Sequence, residues 1–159
     1  MKRVVVTGVL SVLACIVRPA PAAADVTAFF GVSPSPSTRT TQGVAIGVGL
    51  IVVGFEFEYG KTKQDDLKGA PGLTTGMGNL MVMTPTQKVQ LYATTGGGMF
   101  HEIYRTRGTT NFGTNVGGGV KLGLAGPIRL RLDYRVFKLN GDPLFTKVQR
   151  FYGGLSLSF

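Results

Sequence analysis

The sequence has one cysteine, no tryptophan and few charged residues. This composition excludes several classes of protein. A lone cysteine has no partner, so a disulfide-stabilised scaffold is excluded. Charged residues make up 16% of the 159 residues, below the roughly 25% that is typical of soluble globular domains. Hydrophobic residues make up 43% despite a net charge of +9, which excludes a disordered polycation. The 24 glycines disfavour a helical bundle, because glycine destabilises helix interiors.

The first 24 residues have the pattern of a secretory signal peptide. A positively charged start precedes an apolar run from Val4 to Val17 and then the alanines Ala22–Ala24. The run is shorter than the about 20 residues that a transmembrane helix needs. We expect cleavage after Ala24, which leaves one domain of residues 25–159. In the alternative interpretation Cys15 becomes the lipidated first residue of a lipoprotein, and in both cases the chain is exported.

Beyond this segment, hydrophobic and polar residues alternate with the period of a β-strand. The alternation is clearest in Val53–Gly60, Ile128–Phe137 and Arg150–Phe159. Weaker segments bring the number of predicted strands to eight. These weaker segments are Asp25–Val32, Gly43–Ile51, Gly72–Thr84, Val89–Tyr104 and Thr110–Leu124.

The connections between the predicted strands alternate between long polar loops and short turns. This alternation and the even strand number are typical of outer-membrane barrels. The sequence therefore predicts an all-β fold, an eight-stranded antiparallel up-and-down transmembrane β-barrel. The connection between strands two and three, within Leu50–Val53, contains no turn residue, so its position stays open. The predicted long loops are Ser33–Gln42, Lys61–Pro71, Arg105–Gly108 and Asn140–Lys147.

The charged residues of the predicted strands share one face, and the other face is almost entirely apolar. In a membrane barrel the apolar face contacts lipid and the charged residues meet inside, where charge pairing makes their burial tolerable. In a soluble exported barrel, the alternative, the faces are reversed. The near balance of acids and bases favours the membrane barrel. The predicted luminal charge network consists of Glu56, Glu58, Glu102, Lys121, Arg129, Arg131, Asp133, Arg135 and Arg150.

The C-terminal segment ends in an aromatic residue that is preceded by apolar residues at alternate positions. It resembles the last strand of bacterial outer-membrane proteins, and the whole domain is similar to the small eight-stranded barrels of the OmpA/OmpX type. The resemblance implies a location in the bacterial outer membrane and recognition by the barrel-assembly machinery. It assigns the assembly signal to Phe151, Leu155, Leu157 and Phe159.

Eight strands enclose only enough room for side chains to fill. We therefore expect a structural or interaction role in the cell envelope, and a narrow porin-like channel for ions or small solutes is the alternative. The single histidine, His101, provides no pair for a metal site, and we expect no cofactor. The outer-membrane lipid A deacylase resembles this architecture, but its His-x-Ser motif is missing because Ile103 lies two residues after His101. We expect no enzymatic activity.

Basic residues predominate in and next to the predicted loops. Arginine and lysine suit phosphate recognition, so we expect contacts with outer-membrane lipids, including lipopolysaccharide phosphates. Ordinary solvated loops are the alternative. Export and the luminal pairing of charges argue against nucleic-acid binding, and we expect a monomer. The basic residues are Arg39, Lys61, Lys63, Lys68, Arg105, Arg107, Lys138 and Lys147, against the acids Asp65, Asp66 and Asp142.

Overall fold

The computed structural model of the protein describes residues 23–86 and 88–159, and most of the predicted signal peptide, with Cys15, lies outside them. The described residues form eight strands that alternate between inward and outward side chains. No helix in these ranges is long and apolar enough to cross a membrane. The strands are β1 Ala23–Ser33, β2 Arg39–Leu50, β3 Val53–Thr62, β4 Gly72–Met83, β5 Val89–Tyr104, β6 Arg107–Ala125, β7 Ile128–Leu139 and β8 Lys147–Ser158.

Each strand pairs antiparallel with its neighbours in the chain, and β1 also pairs with β8, so the sheet closes into a barrel. The predicted eight-stranded up-and-down barrel is thereby confirmed. The backbone amide of Ala24 donates to the Phe159 carbonyl oxygen at 2.9 Å, and the Phe159 amide donates back. The two ends of the described chain therefore meet at the end of the barrel that carries the connections at residues 51–52, 84–88 and 126–127.

Four strands begin earlier than their hydrophobic patterns predict, and β1 does so by two residues, at Ala23 instead of Asp25. β2 begins at Arg39 instead of Gly43, β6 at Arg107 instead of Thr110, and β8 at Lys147 instead of Arg150. Thr40 and Thr41 lie in the added part of β2 and pair with β1, and such β-branched residues favour strands whatever their polarity. The loops are correspondingly shorter, and the β5–β6 connection is reduced to residues 105–106.

The connection between β2 and β3 is a two-residue turn at Ile51 and Val52. Leu50 pairs with Val53 across it. Ile51 has φ of +42°, a left-handed conformation that costs L-residues roughly 1–2 kcal/mol. Tight hairpin turns require positive φ at the first central position and usually place glycine there. The closed register of the barrel imposes this turn, although the local sequence contains no turn residue.

We predict that Ile51→Gly stabilises the barrel by about 0.5–1 kcal/mol, because relief of the left-handed strain exceeds the added chain entropy of glycine. Val52→Gly is the matched control, since Val52 does not have positive φ. Urea unfolding in detergent micelles measures both variants. A gain for Val52→Gly, or none for Ile51→Gly, would contradict the explanation.

The faces of the barrel are reversed relative to a protein that folds in water. Phe30, Phe55 and Phe57 are 62%, 65% and 57% exposed on the outside. Arg131 and Arg135 lie inside with no exposed surface. The closed sheet satisfies the backbone hydrogen bonds between strands. Its outer face presents apolar side chains, and its lumen contains the charges.

Candidate functional site

The central lumen contains a network of six charged side chains that extends across the barrel. Alternation along β3 points Glu56 and Glu58 inward, and the same alternation on β7 points Arg131, Asp133 and Arg135 inward. Because β3 and β7 are four strands apart in the closed sheet, their side chains meet across the lumen. Arg150 of β8 completes the set. The three arginines and three acids balance in charge, and the side chains that form ion pairs here are fully buried.

Arg131 connects the two walls of the lumen. It forms a two-pronged ion pair with Glu56, in which Nη1 bonds Oε2 and Nη2 lies 3.2 Å from Oε1. Nη2 also donates to Asp133 Oδ2 at 2.9 Å, and Nε donates to the Tyr92 hydroxyl at 2.7 Å. The Tyr92 hydroxyl in turn donates to Asp133. The guanidinium group therefore has acceptors in each direction of its planar fork, which makes its burial tolerable.

Arg135 and Arg150 face each other directly across the β7–β8 pairing. Like charges in this position repel. Glu58 bridges them, with Oε2 3.0 Å from Arg135 Nη1 and Oε1 3.1 Å from Arg150 Nη1. Arg135 also donates to Glu56 at 2.7 Å and to Asp133 at 3.0 Å. A carboxylate from the opposite wall thus stabilises two arginines that their own strands force together.

The network also includes uncharged partners that the sequence analysis did not identify. The Tyr152 hydroxyl donates to Glu58 at 2.6 Å, and Thr75 lies 3.3 Å from Arg150. Tyr92 was missed in the same way. Both tyrosines have the inward parity of their strands, and Tyr152 lies two positions from Arg150 on the same face, so this signal was available. Their aromatic rings look apolar in a hydrophobicity pattern, whereas their hydroxyl groups are polar.

Glycines on the inner wall make room for the arginines. A Cβ atom on Gly117 would lie 2.7 Å from Arg135 Cγ, and one on Gly60 would lie 2.6 Å from Arg150 Nη1. Eight strands enclose too little space for a full side chain at every inward position. Gly60 of β3 and Gly117, in the glycine-rich part of β6, therefore belong to the packing of the lumen.

Three of the predicted luminal residues lie outside the central network. Lys121 is buried and forms a separate ion pair with Asp25, which the prediction had omitted. Glu102 is buried near the loops, where it accepts the Leu144 backbone amide at 3.0 Å. Arg129 is half-buried and lies 3.4 Å from the Gln90 side chain. Within residues 23–86 and 88–159 neither Glu102 nor Arg129 forms an ion pair, which corrects their assignment to one network.

An apolar layer, which the sequence analysis did not predict, fills the lumen between the network and the loops. Phe137 contacts both layers, because the Arg150 guanidinium lies 4.5 Å from the centre of its ring. Inward parity alone cannot tell this layer from the charged one, because both point into the same lumen. The residues of the layer, all nearly inaccessible, are Leu73, Met77, Phe100, Phe137, Leu139 and Val148.

Arg39 lies inside the barrel at the loop end, and its assignment to an exposed basic rim is wrong. It is 4% exposed and donates to the carbonyl oxygens of Ser35, at 3.0 Å, and of Pro71. Its guanidinium group therefore connects the first two loops. The earlier start of β2 explains the difference, because it gives Arg39 an inward strand position.

A cavity of about 230 Å³ lies at the opposite end, near the chain termini. Its lining includes Asp25, Gln90, Lys121 and Arg129. Inward glycines of β2 and β3 leave this space open, since they have no side chains to fill it. Among the described residues, no three His, Cys, Asp or Glu side chains form a group that could hold a metal ion.

The predicted assembly-signal residues lie on the outer face at the end of the chain. They share the outward parity of β8, so their side chains form an apolar strip next to β1 and β7. Phe151 packs against Tyr134 of β7, with 4.3 Å between ring centres and the ring planes tilted by 33°. The exposed residues of the strip are Phe151, Leu155, Leu157 and Phe159.

Solved structures similar to this barrel are small outer-membrane barrels. Neisserial surface protein A has a TM-score of 0.69 and 14% identity, with 87% of this chain and 97% of that chain covered. The N-terminal barrel domain of Pseudomonas aeruginosa OprF has a TM-score of 0.63 and 17% identity, with 86% and 97% covered. The outer-membrane enzyme PagL has a TM-score of 0.56 and 10% identity, with 84% and 98% covered. No protein-family model and no curated protein matches the sequence. At these identities the likeness establishes the fold.

We predict that Arg131→Met destabilises the barrel by about 3–5 kcal/mol, because it leaves Glu56 and Asp133 with less compensation for their buried charge. Arg129→Met is the matched control, since it removes the same side chain two positions away on the same strand. We expect it to cost less than about 1 kcal/mol. Urea unfolding, followed by far-UV circular dichroism because the protein has no tryptophan, measures the free energy of unfolding of both variants. Equal losses would show that the network contributes no special stability.

Proposed function

We propose that the protein is a bacterial outer-membrane barrel with a side-chain-filled lumen and a structural or interaction role in the envelope. The observation that carries the proposal is the reversed distribution of its side chains, with Phe30, Phe55 and Phe57 exposed outside and Arg131 and Arg135 buried inside. A water-exposed apolar face of this extent would promote aggregation. In a bilayer the same face is favourable, and the neutral charge balance of the lumen reduces the cost of burying six charges.

The height of the apolar surface supports membrane insertion. On β7 and β8 the outward pairs from Ile128–Leu157 to Val136–Gln149 carry no charge. The next outward pair, Lys138–Lys147, is ten residues above Ile128 along the chain. This spacing is about 34 Å along the strand at about 3.4 Å per residue, or about 26 Å across the membrane at a tilt of about 40°. An outer-membrane barrel has an apolar band of about 25 Å.

The packed interior supports a structural role over transport. From the loops inward, Arg39 connects two loops, an apolar layer follows, and the ion-pair network lies beneath it. Side chains at each of these levels are nearly inaccessible. The outer-membrane neighbour PagL is an enzyme, but here the outward His101 bonds Thr110 at 2.6 Å and has Ile103 at the position of the deacylase serine. We therefore infer a role without catalysis.

The apolar strip on β8 supports biogenesis by the barrel-assembly machinery. Phe159 is 76% exposed, and its backbone pairs with Ala24 of β1 where the sheet closes. A recognition factor can therefore reach the side chain while the last strand completes the barrel.

Fractionation of the cell envelope tests the proposal. We expect the full-length protein in the outer-membrane fraction, with gel mobility that changes on boiling, because a closed barrel keeps its compact form in detergent until heated. A soluble exported barrel, the alternative, would be recovered from the periplasm without detergent. Recovery in that fraction, together with unchanged mobility on boiling, would contradict membrane insertion.

The cavity of about 230 Å³ at the turn end favours one further candidate, a narrow channel. The apolar layer lies between this cavity and the loops. We therefore expect planar-bilayer recordings of the purified protein to show no stable openings. Reproducible single-channel steps that change in size in Met77→Ala would instead support conduction through this layer, and Met99→Ala, on the outer face, is the matched control.

A further inference from the structure

We propose that Lys138 and Lys147 form a binding site for the phosphate group of an outer-leaflet lipid. The inference rests on the proposed insertion into the outer membrane and adds to it a defined partner chemistry. The two lysines are direct cross-strand partners at the loop end of β7 and β8. Both side chains are exposed and have outward parity.

The backbone pairing brings these two side chains close together. The Leu139 amide donates to the Thr146 carbonyl oxygen at 2.9 Å, which makes this adjacent pair a hydrogen-bonded one. In antiparallel sheets the next pair is then non-hydrogen-bonded, and its facing side chains are the closest. Two ammonium groups at such a position repel each other. An anion between them would convert this repulsion into attraction.

The interior of the same barrel shows how the chain treats facing cations. Arg135 and Arg150 oppose each other on the same two strands, and Glu58 bridges them. For Lys138 and Lys147, no carboxylate in residues 23–86 or 88–159 forms an ion pair with either. Glu58 of the protein supplies the anion between Arg135 and Arg150. For Lys138 and Lys147 we infer that a bound ligand supplies it.

The position of the pair identifies the anion. Below the lysines lie the Val136–Gln149 pair and then the Tyr134–Phe151 pair, whose rings pack together. The pair is thus the first charged position above the apolar surface, at the level of lipid headgroups. Its remaining strand neighbour, Thr114 of β6, adds no negative charge. A phosphorylated headgroup provides several acceptor oxygens for two ammonium groups, while its acyl chains contact the apolar residues below.

Thermal unfolding of the purified full chain in neutral detergent micelles, followed by the boiling-dependent gel shift, tests the site. The probe is diphosphorylated lipid A, with dephosphorylated lipid A and inorganic phosphate as comparison arms. We expect diphosphorylated lipid A to raise the unfolding midpoint of the wild type, and the other two to have little effect. In Lys138→Gln/Lys147→Gln we expect about a tenfold loss in apparent affinity for this probe, because two solvent-exposed ion pairs are removed. Without added anion, this variant should unfold at a higher temperature than the wild type.

Lys61→Gln/Lys63→Gln is the matched control, because it removes two exposed lysines from β3 and the loop that follows it at the same barrel end. These two positions are not cross-strand partners. We expect this control to keep most of the lipid A effect. Equal losses in both double variants would overturn a defined site, and so would an equal response to dephosphorylated lipid A. A response to inorganic phosphate that matches lipid A would overturn the lipid as the source. Failure of the wild type to show any gel shift would instead contradict the proposed membrane barrel.

Discussion

The ion pairs that join β3 to β7 across the lumen determine how the interior of this barrel is arranged. Glu56 contacts both Arg131 and Arg135, so one carboxylate connects opposite walls. Burial of any one of these charges alone would cost several kcal/mol. Together they form a neutral cluster in which each acid meets at least two donors. The network therefore requires the closed sheet, because open strands would leave its two halves apart.

Closure of the sheet and reversal of its faces depend on each other. A closed barrel leaves no sheet edge, so an apolar outer face can contact lipid without unsatisfied backbone groups. The price is a narrow interior, which glycines such as Gly117 enlarge for the arginines. Above the arginines the interior becomes apolar, and Phe137 lies at the boundary between the two layers.

The same hairpin carries two pairs of facing cations with opposite surroundings. Arg135 and Arg150 point inward and share Glu58. Lys138 and Lys147 point outward above the apolar surface. The alternation of a strand thus places one cation pair against a carboxylate of the protein and the other on the outer face of the barrel. This difference links the packing of the lumen to the proposed contact with the outer leaflet.

Side-chain alternation was sufficient to predict the eight-stranded barrel, because it depends only on local backbone geometry. Inward parity also placed the six residues of the central network together. The sequence could not separate Glu102 and Arg129 from them, because parity gives the face of a strand and not the depth within the lumen. The local pattern also did not predict the start of β2 at Arg39 or the left-handed conformation of Ile51, although the turn lies within the predicted Leu50–Val53 connection. Both depend on registers that closure imposes, and only the assembled barrel defines which strands face each other across its interior.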